Sequence, residues 1–486
     1  MKLVDLLANT RKAALVVWLT CLFVPSFNAQ TAEPQRDQLL NGLRVLLWTR
    51  PGDQTVVLKL RIHSGAAFDT AGKAGTMALL GDLLFPDATT HDYFTSEMGG
   101  KLDVDTDYDT INITLQGRAA EYDRIVDILR GGLVTTPLTA ENLIRVREAR
   151  LKKLSETVAN GEGMADQAIA ARVLGSFPYT QPIGGTPETL RKVERSDVML
   201  ARDRFLSPNN ATLTIIGGVD QRQAMRGLRQ LLGGWRKNDQ IVPATFRQPD
   251  LPDRRTLLVN AAGLQLSEVR LATGSVARSD RDFFAVRLLT ILARERWRKL
   301  VPGPVAATVF ARADGHVAPA MFAMGASVDG AVAQKTLAAG VTVLKSLIST
   351  PASPAELETA KGFSFALANQ NTDTLATAWL DIDTFGLPPI AEQLRLSNSI
   401  SAADLQRVAG RLFREHSIAS VIVGNVDQLK GDFAAEKIEI VSKPKPEKEK
   451  AADQSPAKKP DPASKAPPPT TTTPALKNSG AATKPD

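Results

Sequence analysis

An internal duplication constrains the architecture of this chain more than any local pattern does. Residues 204–221 align without a gap with residues 411–428. The clearest identical pairs are Arg204/Arg411, Ile215/Ile422, Gly217/Gly424, Val219/Val426, Asp220/Asp427 and Gln221/Gln428. Each copy predicts a helix, a turn, an apolar strand that ends in glycine, and a new helix that the aspartate begins. We therefore expect two homologous domains.

The segments in front of the two copies are also similar. Residues 56–69 and 268–280 both predict a strand that leads through a glycine-containing turn into a helix. Long amphipathic helices are predicted over 140–158, with Thr139 as N-cap, and from about Asp280 to Leu300. Because strands and helices occur in clusters, the pattern predicts an α+β fold in which each domain is a mainly antiparallel sheet covered by helices. The predicted domains span 30–248 and 249–440, meeting near Pro249–Pro252.

Residues 1–29 have the pattern of a signal peptide. A basic segment ending at Lys12 precedes twelve mainly apolar residues, 13–24, which are too few to span a membrane comfortably. Cleavage is expected between Ala29 and Ala32, with export to the periplasm or cell envelope; an uncleaved membrane anchor is the alternative. Cys21 is the only cysteine. Its removal with the signal peptide would exclude disulfides, zinc–thiolate sites and cysteine nucleophiles.

Residues 441–486 are rich in Lys, Pro, Ala and Thr, which predicts a disordered tail because ordering them would bury little apolar surface. Of the formal charge of +7, the leader carries +2 and residues 443–486 carry +4, so that only +1 remains for the body. A nearly neutral body argues against nucleic-acid binding by the folded domains. The tail is interpreted as a solubilising linker, with attachment to an anionic envelope polymer as the alternative.

Several segments resemble the M16 (pitrilysin/insulinase-type) zinc peptidases and their non-catalytic relatives. The similar segments are residues 39–45, 177–190, 196–197, 207–213, 265–271 and 277–284. Residues 39–45 match the opening strand of the family. The resemblance extends over nearly everything from Leu39 to Gln428, and it implies two M16-type (LuxS/MPP-like metallohydrolase) domains.

The zinc motif of that family is degenerate in this chain. In H-x-x-E-H, two histidines on one helix face bind the metal and the glutamate is the general base. The resemblance places the metal-ligand positions at Ala78 and Asp82 and the base at Gly81, with the third ligand near Ser155 or Glu156. Too few ligands remain for a three-ligand catalytic zinc. The resemblance thus implies an inactive homologue without a metal or another cofactor.

Other kinds of catalytic site receive little support. The four histidines, His63, His91, His316 and His416, are not spaced as a helical metal pair, although His91, in the first turn of a predicted helix, is a candidate ligand. The chain contains no G-x-S-x-G elbow, and the glycine-containing segment 161–165, which predicts a loop followed by a helix start, lacks the P-loop lysine.

In two-chain members of the family, a metal-free subunit holds the substrate through an Arg and a Tyr of its second domain. The matching helix spans 292–304, and Arg294, Arg296 or Arg298 are the candidates for the arginine. The tyrosine position falls near Val305 or Ala306, and all four tyrosines lie in the first half. The alternative interpretation of the arginines is a solvated basic helix face.

Residues 101–110 place Asp103, Asp105, Asp107 and Asp109 at a period of two. On a continuous strand these carboxylates would share one face, where like charges need solvent, a partner or a cation. The preferred interpretation is a solvated strand end bent by a turn. A cation or a basic peptide is the alternative, which makes Asp103 and Asp105 candidate substrate-binding residues.

Our leading hypothesis is a non-catalytic, substrate-holding subunit of an exported two-subunit metallopeptidase. Its partners would be a zinc-bearing M16 paralogue and an extended peptide. The alternative is a stand-alone cell-envelope binding or scaffold protein that uses the cleft or the basic tail. An active peptidase with a relocated site is a third hypothesis, which the small number of histidines disfavours.

Overall fold

Two six-stranded β-sheets organise the structure, which is a computed structural model. It describes residues 33–156, 160–240, 246–301, 308–365, 371–415, 418–433 and 438–441. The predicted signal peptide, the predicted tail beyond Val441, His416 and the positions Val305 and Ala306 lie outside the described residues.

The first sheet has the strand order β1-β2-β6-β3-β5-β4. Its strands are β1 (Gln35–Gln38), β2 (Arg44–Thr49), β3 (Thr55–Ile62), β4 (Lys101–Thr106), β5 (Ile111–Arg118) and β6 (Ala211–Gly217). Only β2 and β6 pair in parallel; the other neighbours are antiparallel.

The second sheet has the equivalent order β12-β7-β11-β8-β10-β9. Its strands are β7 (Thr256–Asn260), β8 (Ser267–Gly274), β9 (Phe310–Ala313), β10 (Met321–Val328), β11 (Ala419–Gly424) and β12 (Ile438–Val441). The duplicated apolar strands, β6 and β11, occupy the third position of each sheet, and the similar front strands, β3 and β8, occupy the fourth. The predicted α+β fold with mainly antiparallel sheets is confirmed.

Helices cover both sheets. Those before β7 are α1 (Thr76–Leu84), α2 (Ala88–Ser96), α3 (Tyr122–Arg130), α4 (Ala140–Glu156), α5 (Gly161–Leu174), α6 (Pro187–Lys192), α7 (Arg195–Phe205) and α8 (Gln221–Leu232). Those after it are α9 (Phe283–Leu300), α10 (Ala333–Ser349), α11 (Pro354–Phe365), α12 (Thr372–Phe385), α13 (Ile390–Ser399), α14 (Ala402–Glu415) and α15 (Val426–Leu429).

Among the predicted helix starts, those at Thr139 and Asp220 agree with the structure and two others differ. The Thr139 hydroxyl accepts the N–H of Asn142 at 3.1 Å, as expected of the N-cap of α4. Helix α9 begins three residues later than predicted, because the Asp280 carboxylate accepts the N–H of Asp282 and holds a turn there. In the second copy of the repeat, Asn425 caps α15 and the aspartate expected to begin the helix lies inside it.

The expected opening strand at residues 39–45 is wrong for most of its length. Residues 39–43 form the turn that joins β1 to β2, in which the Leu39 N–H donates to the Leu43 carbonyl at 2.9 Å. Gly42 has a φ of 94°, in the left-handed region that glycine adopts without strain. The Asn41-Gly42 dipeptide is a typical hairpin signal, so the correction follows from local turn chemistry.

Each half of the chain contributes one helix to the sheet of the other half. Helix α5 packs on β8 and β11 of the second sheet, whereas α12 packs on β3 and β6 of the first. Trp379 of α12 is fully buried, and its ring lies edge-on to that of Trp48, with centroids 5.9 Å apart. This reciprocal packing places the described residues in one compact unit. The boundary near Pro249–Pro252 stays a prediction.

Candidate functional site

Helix α1 carries the positions that match the zinc motif, and Asp69 fixes its beginning. The Asp69 carboxylate accepts the N–H of Gly75 at 2.7 Å and that of Met77 at 2.8 Å. Burial raises the pKa of Asp69 to about 7, although these N–H groups oppose the shift. Ala78 and Gly81 are both buried on this helix.

A guanidinium pairs with Asp82, the carboxylate at the matched positions of α1. Arg150 of α4 places Nη2 2.7 Å and Nε 2.9 Å from Oδ2 of Asp82. The same Nη2 donates to the Ala78 carbonyl at 3.4 Å. Burial raises the pKa of Asp82, and the charge of Arg150 opposes that shift. The carboxylate at the matched ligand positions of α1 is therefore engaged by a fixed cation from the chain itself.

The surroundings do not fit a catalytic zinc. A Cβ atom at Gly81 would lie 3.0 Å from Thr106 Oγ1 and 3.4 Å from Val104 Cγ1, so even the first carbon of a glutamate side chain would require these two side chains of β4 to shift. The third-ligand candidates lie at the exposed end of α4, where Ser155 bonds the Lys152 carbonyl. Among the described residues, no group of three or more His, Cys, Asp or Glu side chains is arranged to hold a metal.

His91 and His63 each have contacts of their own within the first half of the chain. Both ring nitrogens of His91 face main-chain carbonyls, those of Phe85 and Leu102, at 3.2 and 3.1 Å. Burial, followed by the charge of Arg44, lowers the pKa of His63 to about 3, so this ring is neutral near pH 7. These contacts account for both side chains without a metal.

The four aspartates at alternate positions of residues 103–109 have different surroundings before and after the end of β4. Asp103 and Asp105 lie exposed on this strand, in register with Thr114 and Asn112 of β5. Partial loss of hydration, with the charges of Asp107 and Asp103, raises the pKa of Asp105. The expectation of a solvated strand end thus describes these two residues, and their role in substrate binding stays a prediction.

The last two aspartates do not share that face. Asp107 closes a turn, because its Oδ1 accepts the N–H groups of Asp109 and Thr110, each at 2.7 Å. Asp109 is buried, contrary to the expectation that all four carboxylates lie in solvent at the strand end. The turn rotates it away from the face of β4 and into the contact between the two halves.

Asp109 is the centre of a polar network that the sequence did not reveal. Its Oδ1 accepts the Tyr179 hydroxyl at 2.7 Å, and its Oδ2 lies 2.9 Å from His316 Nδ1 and accepts the Val317 N–H at 3.2 Å. Burial lowers the pKa of His316, but the hydrogen bond and charge of Asp109 outweigh it, so the net shift is upward. Because 207 residues separate Asp109 from His316, local patterns carried no signal for this contact.

The candidate substrate-binding arginines of α9 differ in their surroundings. Arg296 forms a two-point contact with Glu356 of α11, with Nε–Oε1 and Nη2–Oε2 distances of 2.9 and 3.1 Å. This contact lowers the pKa of Glu356 to about 2. Arg294 and Arg298 both contact Glu295, at 3.1 and 3.2 Å. A solvated basic face describes Arg298 but not Arg296, whose side chain is 13% exposed. The proposed role in holding substrate stays a prediction.

Comparisons with known proteins agree with the fold. Residues 192–362 match the family described as the peptidase M16 inactive domain. An uncharacterized zinc protease of Rickettsia felis is 19% identical over 217 residues, which cover 43% of this chain and 52% of that protein. Subunit 1 of the human mitochondrial cytochrome b-c1 complex is 22% identical over 225 residues, 45% of each chain. The chain thus spans about half the length of these curated relatives.

Solved structures match over a larger share of the chain. A peptidase M16 inactive domain from Pseudomonas fluorescens has a TM-score of 0.74 at 15% identity, covering 81% of this chain and 98% of that one. The first half of the periplasmic protease PqqL from Escherichia coli has a TM-score of 0.66 at 15% identity, covering 85% and 99%. The resemblance predicted from the sequence is confirmed: residues 192–362 match the peptidase M16 inactive domain, the fold is similar to that of M16-type peptidase structures, and the sequence lacks the H-x-x-E-H zinc motif.

Proposed function

We propose that this chain is the non-catalytic, peptide-holding subunit of an exported two-subunit metallopeptidase. The ion pair between Arg150 and Asp82 is the observation that carries the proposal. With a methyl group at Ala78 and a hydrogen at Gly81, the helix has neither the imidazoles nor the carboxylate that zinc-assisted peptide hydrolysis requires. The chain keeps the fold of a peptidase without its reactive groups, which favours a role in binding.

The relatives support assembly with a second chain. One relative is described as a zinc protease and another as a subunit of a complex. Proteins similar to this chain therefore include both a zinc protease, the kind of partner that we propose, and a subunit that assembles with other chains. PqqL is described as periplasmic, which supports export together with the predicted signal peptide. The partner that we propose is a zinc-bearing M16 paralogue.

An extended peptide would be held at the edge of the first sheet. In the part of the chain that the structure describes, β4 pairs with β5 alone. An edge strand presents main-chain N–H and C=O groups with which a peptide can form an additional strand. Asp103 and Asp105 lie exposed along β4 and would favour basic peptides.

Affinity purification of the tagged full-length chain from its native host tests this proposal. We expect an M16 peptidase with an intact H-x-x-E-H motif to be enriched and to carry the zinc of the complex. Recovery of the chain alone, with no zinc peptidase enriched, counts against the subunit role. The variant Asp103→Asn/Asp105→Asn should weaken peptide binding by the complex without dissociating it, whereas Asp92→Asn, exposed on α2, is the matched control.

A stand-alone binding protein is the second candidate. The observation that favours it is the confinement of all four tyrosines to the first half, because the resemblance implies a tyrosine in the second domain of a substrate-holding subunit. Truncation after Val441 separates the two functions. Loss of localisation or of partner capture on truncation indicates tail-mediated binding, whereas a peptidase subunit should tolerate the loss.

A further inference from the structure

A cavity of about 420 Å³ lies between the two halves, and its lining includes no residue of α1. Its walls come from the β4–β5 turn, from α5, from the segment after α5 and from the β9–β10 connection. Its lining includes the aromatic and ionic side chains of Tyr108, Asp166, Tyr179, Arg312, Asp314 and His316. The volume lies within the range of small-molecule and side-chain pockets.

One wall of the cavity is aromatic. The ring of His316 lies 4.5 Å from that of Tyr179 and 5.4 Å from that of Tyr108, measured between centroids. Both tyrosine hydroxyls are already engaged, since Tyr108 donates to the Gln181 carbonyl at 3.0 Å and Tyr179 donates to Asp109. These residues therefore offer ring surface, which attracts cations and packs against aliphatic stems.

The ionic groups beside the aromatic wall carry an excess of negative charge. Asp166 is shared by Arg270 at 2.6 Å and Arg312 at 2.9 Å, and Arg270 also contacts Glu268 at 2.9 Å. With Asp314, this cluster contains three carboxylates and two guanidinium groups. The charge of the cluster is complementary to one additional cation.

Asp314 is the member of the cluster with the weakest pairing. Its Oδ1 lies 3.4 Å from Arg312 Nε, and Arg312 makes its shorter contact with Asp166. The other charged groups that line the cavity are engaged: Asp107 holds the β4–β5 turn and His316 bonds Asp109. Burial raises the pKa of Asp314, as expected for a carboxylate that has lost water without gaining a full set of partners.

We infer that this cavity binds the basic side chain of a lysine or arginine, with its cationic end on Asp314 and its aliphatic stem against Tyr108 and Tyr179. The inference rests on the proposed function in one respect: the side chain would belong to the extended peptide that the subunit holds. The pocket would then select peptides by a basic residue, at a position distinct from the edge of β4.

Calorimetry on the purified full-length chain tests the pocket without requiring a partner. The probes are Nα-acetyl-arginine amide, Nα-acetyl-lysine amide and Nα-acetyl-citrulline amide, the last being a neutral analogue of arginine with nearly the same shape. We expect the two cationic probes to bind and citrulline to bind at least about tenfold more weakly, because a hydrogen bond to a charged group contributes that order of affinity.

Two variants locate the binding. Asp314→Asn should weaken the cationic probes about tenfold or more, and Tyr108→Leu should weaken them several-fold, while Asp92→Asn should have no effect. Circular dichroism and thermal melting verify that each variant is folded. Equal binding of arginine and citrulline probes, unchanged binding by a folded Asp314→Asn variant, or no binding of any probe in the millimolar range overturns the inference. Recovery of the zinc-bearing partner by affinity purification is a separate readout, so failure of the pocket leaves the subunit proposal standing.

Discussion

Replacement of Arg150 by alanine perturbs the ion pair that stands at the degenerate metal site. Removal of one partner from a buried pair costs about 3–5 kcal/mol, whereas an exposed pair contributes about 0–1 kcal/mol. The side chains of Arg150 and Asp82 are 21% and 32% exposed, between these limits. We therefore expect Arg150→Ala to lower the free energy of unfolding by about 2 kcal/mol. Urea denaturation followed by circular dichroism measures this loss.

The pH dependence of this loss identifies Asp82 as its cause. Burial already raises the pKa of Asp82 in the folded chain, and removal of Arg150 should raise it further. A raised folded-state pKa means that the folded state binds the proton more tightly, so stability falls as pH rises from the unfolded-state pKa through the folded-state pKa. The cost of Arg150→Ala should accordingly be larger at pH 8 than at pH 4.5, where protonation removes the unpaired charge.

Two further variants complete this test. Asp82→Asn combined with Arg150→Ala should recover much of the lost stability, since removal of both partners leaves no uncompensated charge. Arg124→Ala is the control, because Arg124 pairs with Asp127 at 3.5 Å with 57% of its side chain exposed, and it should cost less than about 1 kcal/mol. The reasoning is refuted if Arg150→Ala costs no more than Arg124→Ala, or if the double variant is as unstable as the single one at pH 8.

Two other predictions concern the contact between the halves and the second core. Asp109→Asn should lower the pKa of His316, which NMR titration of its ring protons measures. The variant should also destabilise the chain more at pH 6 than at pH 9, because the pairing of protonated His316 is lost as pH rises through its raised pKa. An unchanged titration curve contradicts this prediction. Gly340→Ala should cost about 1–3 kcal/mol by overpacking, since its Cβ would lie 2.4 Å from Leu271 Cδ1. Gly410→Ala, where the added carbon would lie more than 4 Å from every atom beyond its chain neighbours and the adjacent backbone of its own helix, should instead stabilise the chain by about 0.5–1 kcal/mol. Urea denaturation of both variants measures the two effects.

Much of the fold was predictable because its signals are local. The sequence predicted β3 and β8 from their alternating apolar residues, and β6 and β11 from apolar runs that end in glycine. Because these segments are duplicated, the sequence also indicated that they occupy equivalent positions in the two sheets. The wrong expectation at residues 39–45 came from treating the segment as continuous strand, although Asn41-Gly42 signals a turn. The turn signal of Asn41-Gly42 is present in the sequence, whereas the similarity of residues 39–45 to the opening strand of the M16 family favoured a continuous strand.

The candidate site was predictable only in what it lacks. The residues at 78, 81 and 82 show that the zinc motif is degenerate, but the partner of Asp82 lies 68 residues away on another helix. Its identity depends on how α1 packs against α4, which no periodicity specifies. The network of Asp109, Tyr179 and His316 depends in the same way on contacts between the two halves of the chain.

Metal analysis of the purified full-length chain, combined with a peptide-cleavage assay in added zinc, tests the non-catalytic assignment most directly. We expect far less than one equivalent of zinc per chain and no peptide cleavage that a chelator inhibits, because Ala78 and Gly81 supply neither ligand nor base. One tightly bound zinc per chain, with chelator-sensitive cleavage that Asp82→Asn abolishes, would contradict it.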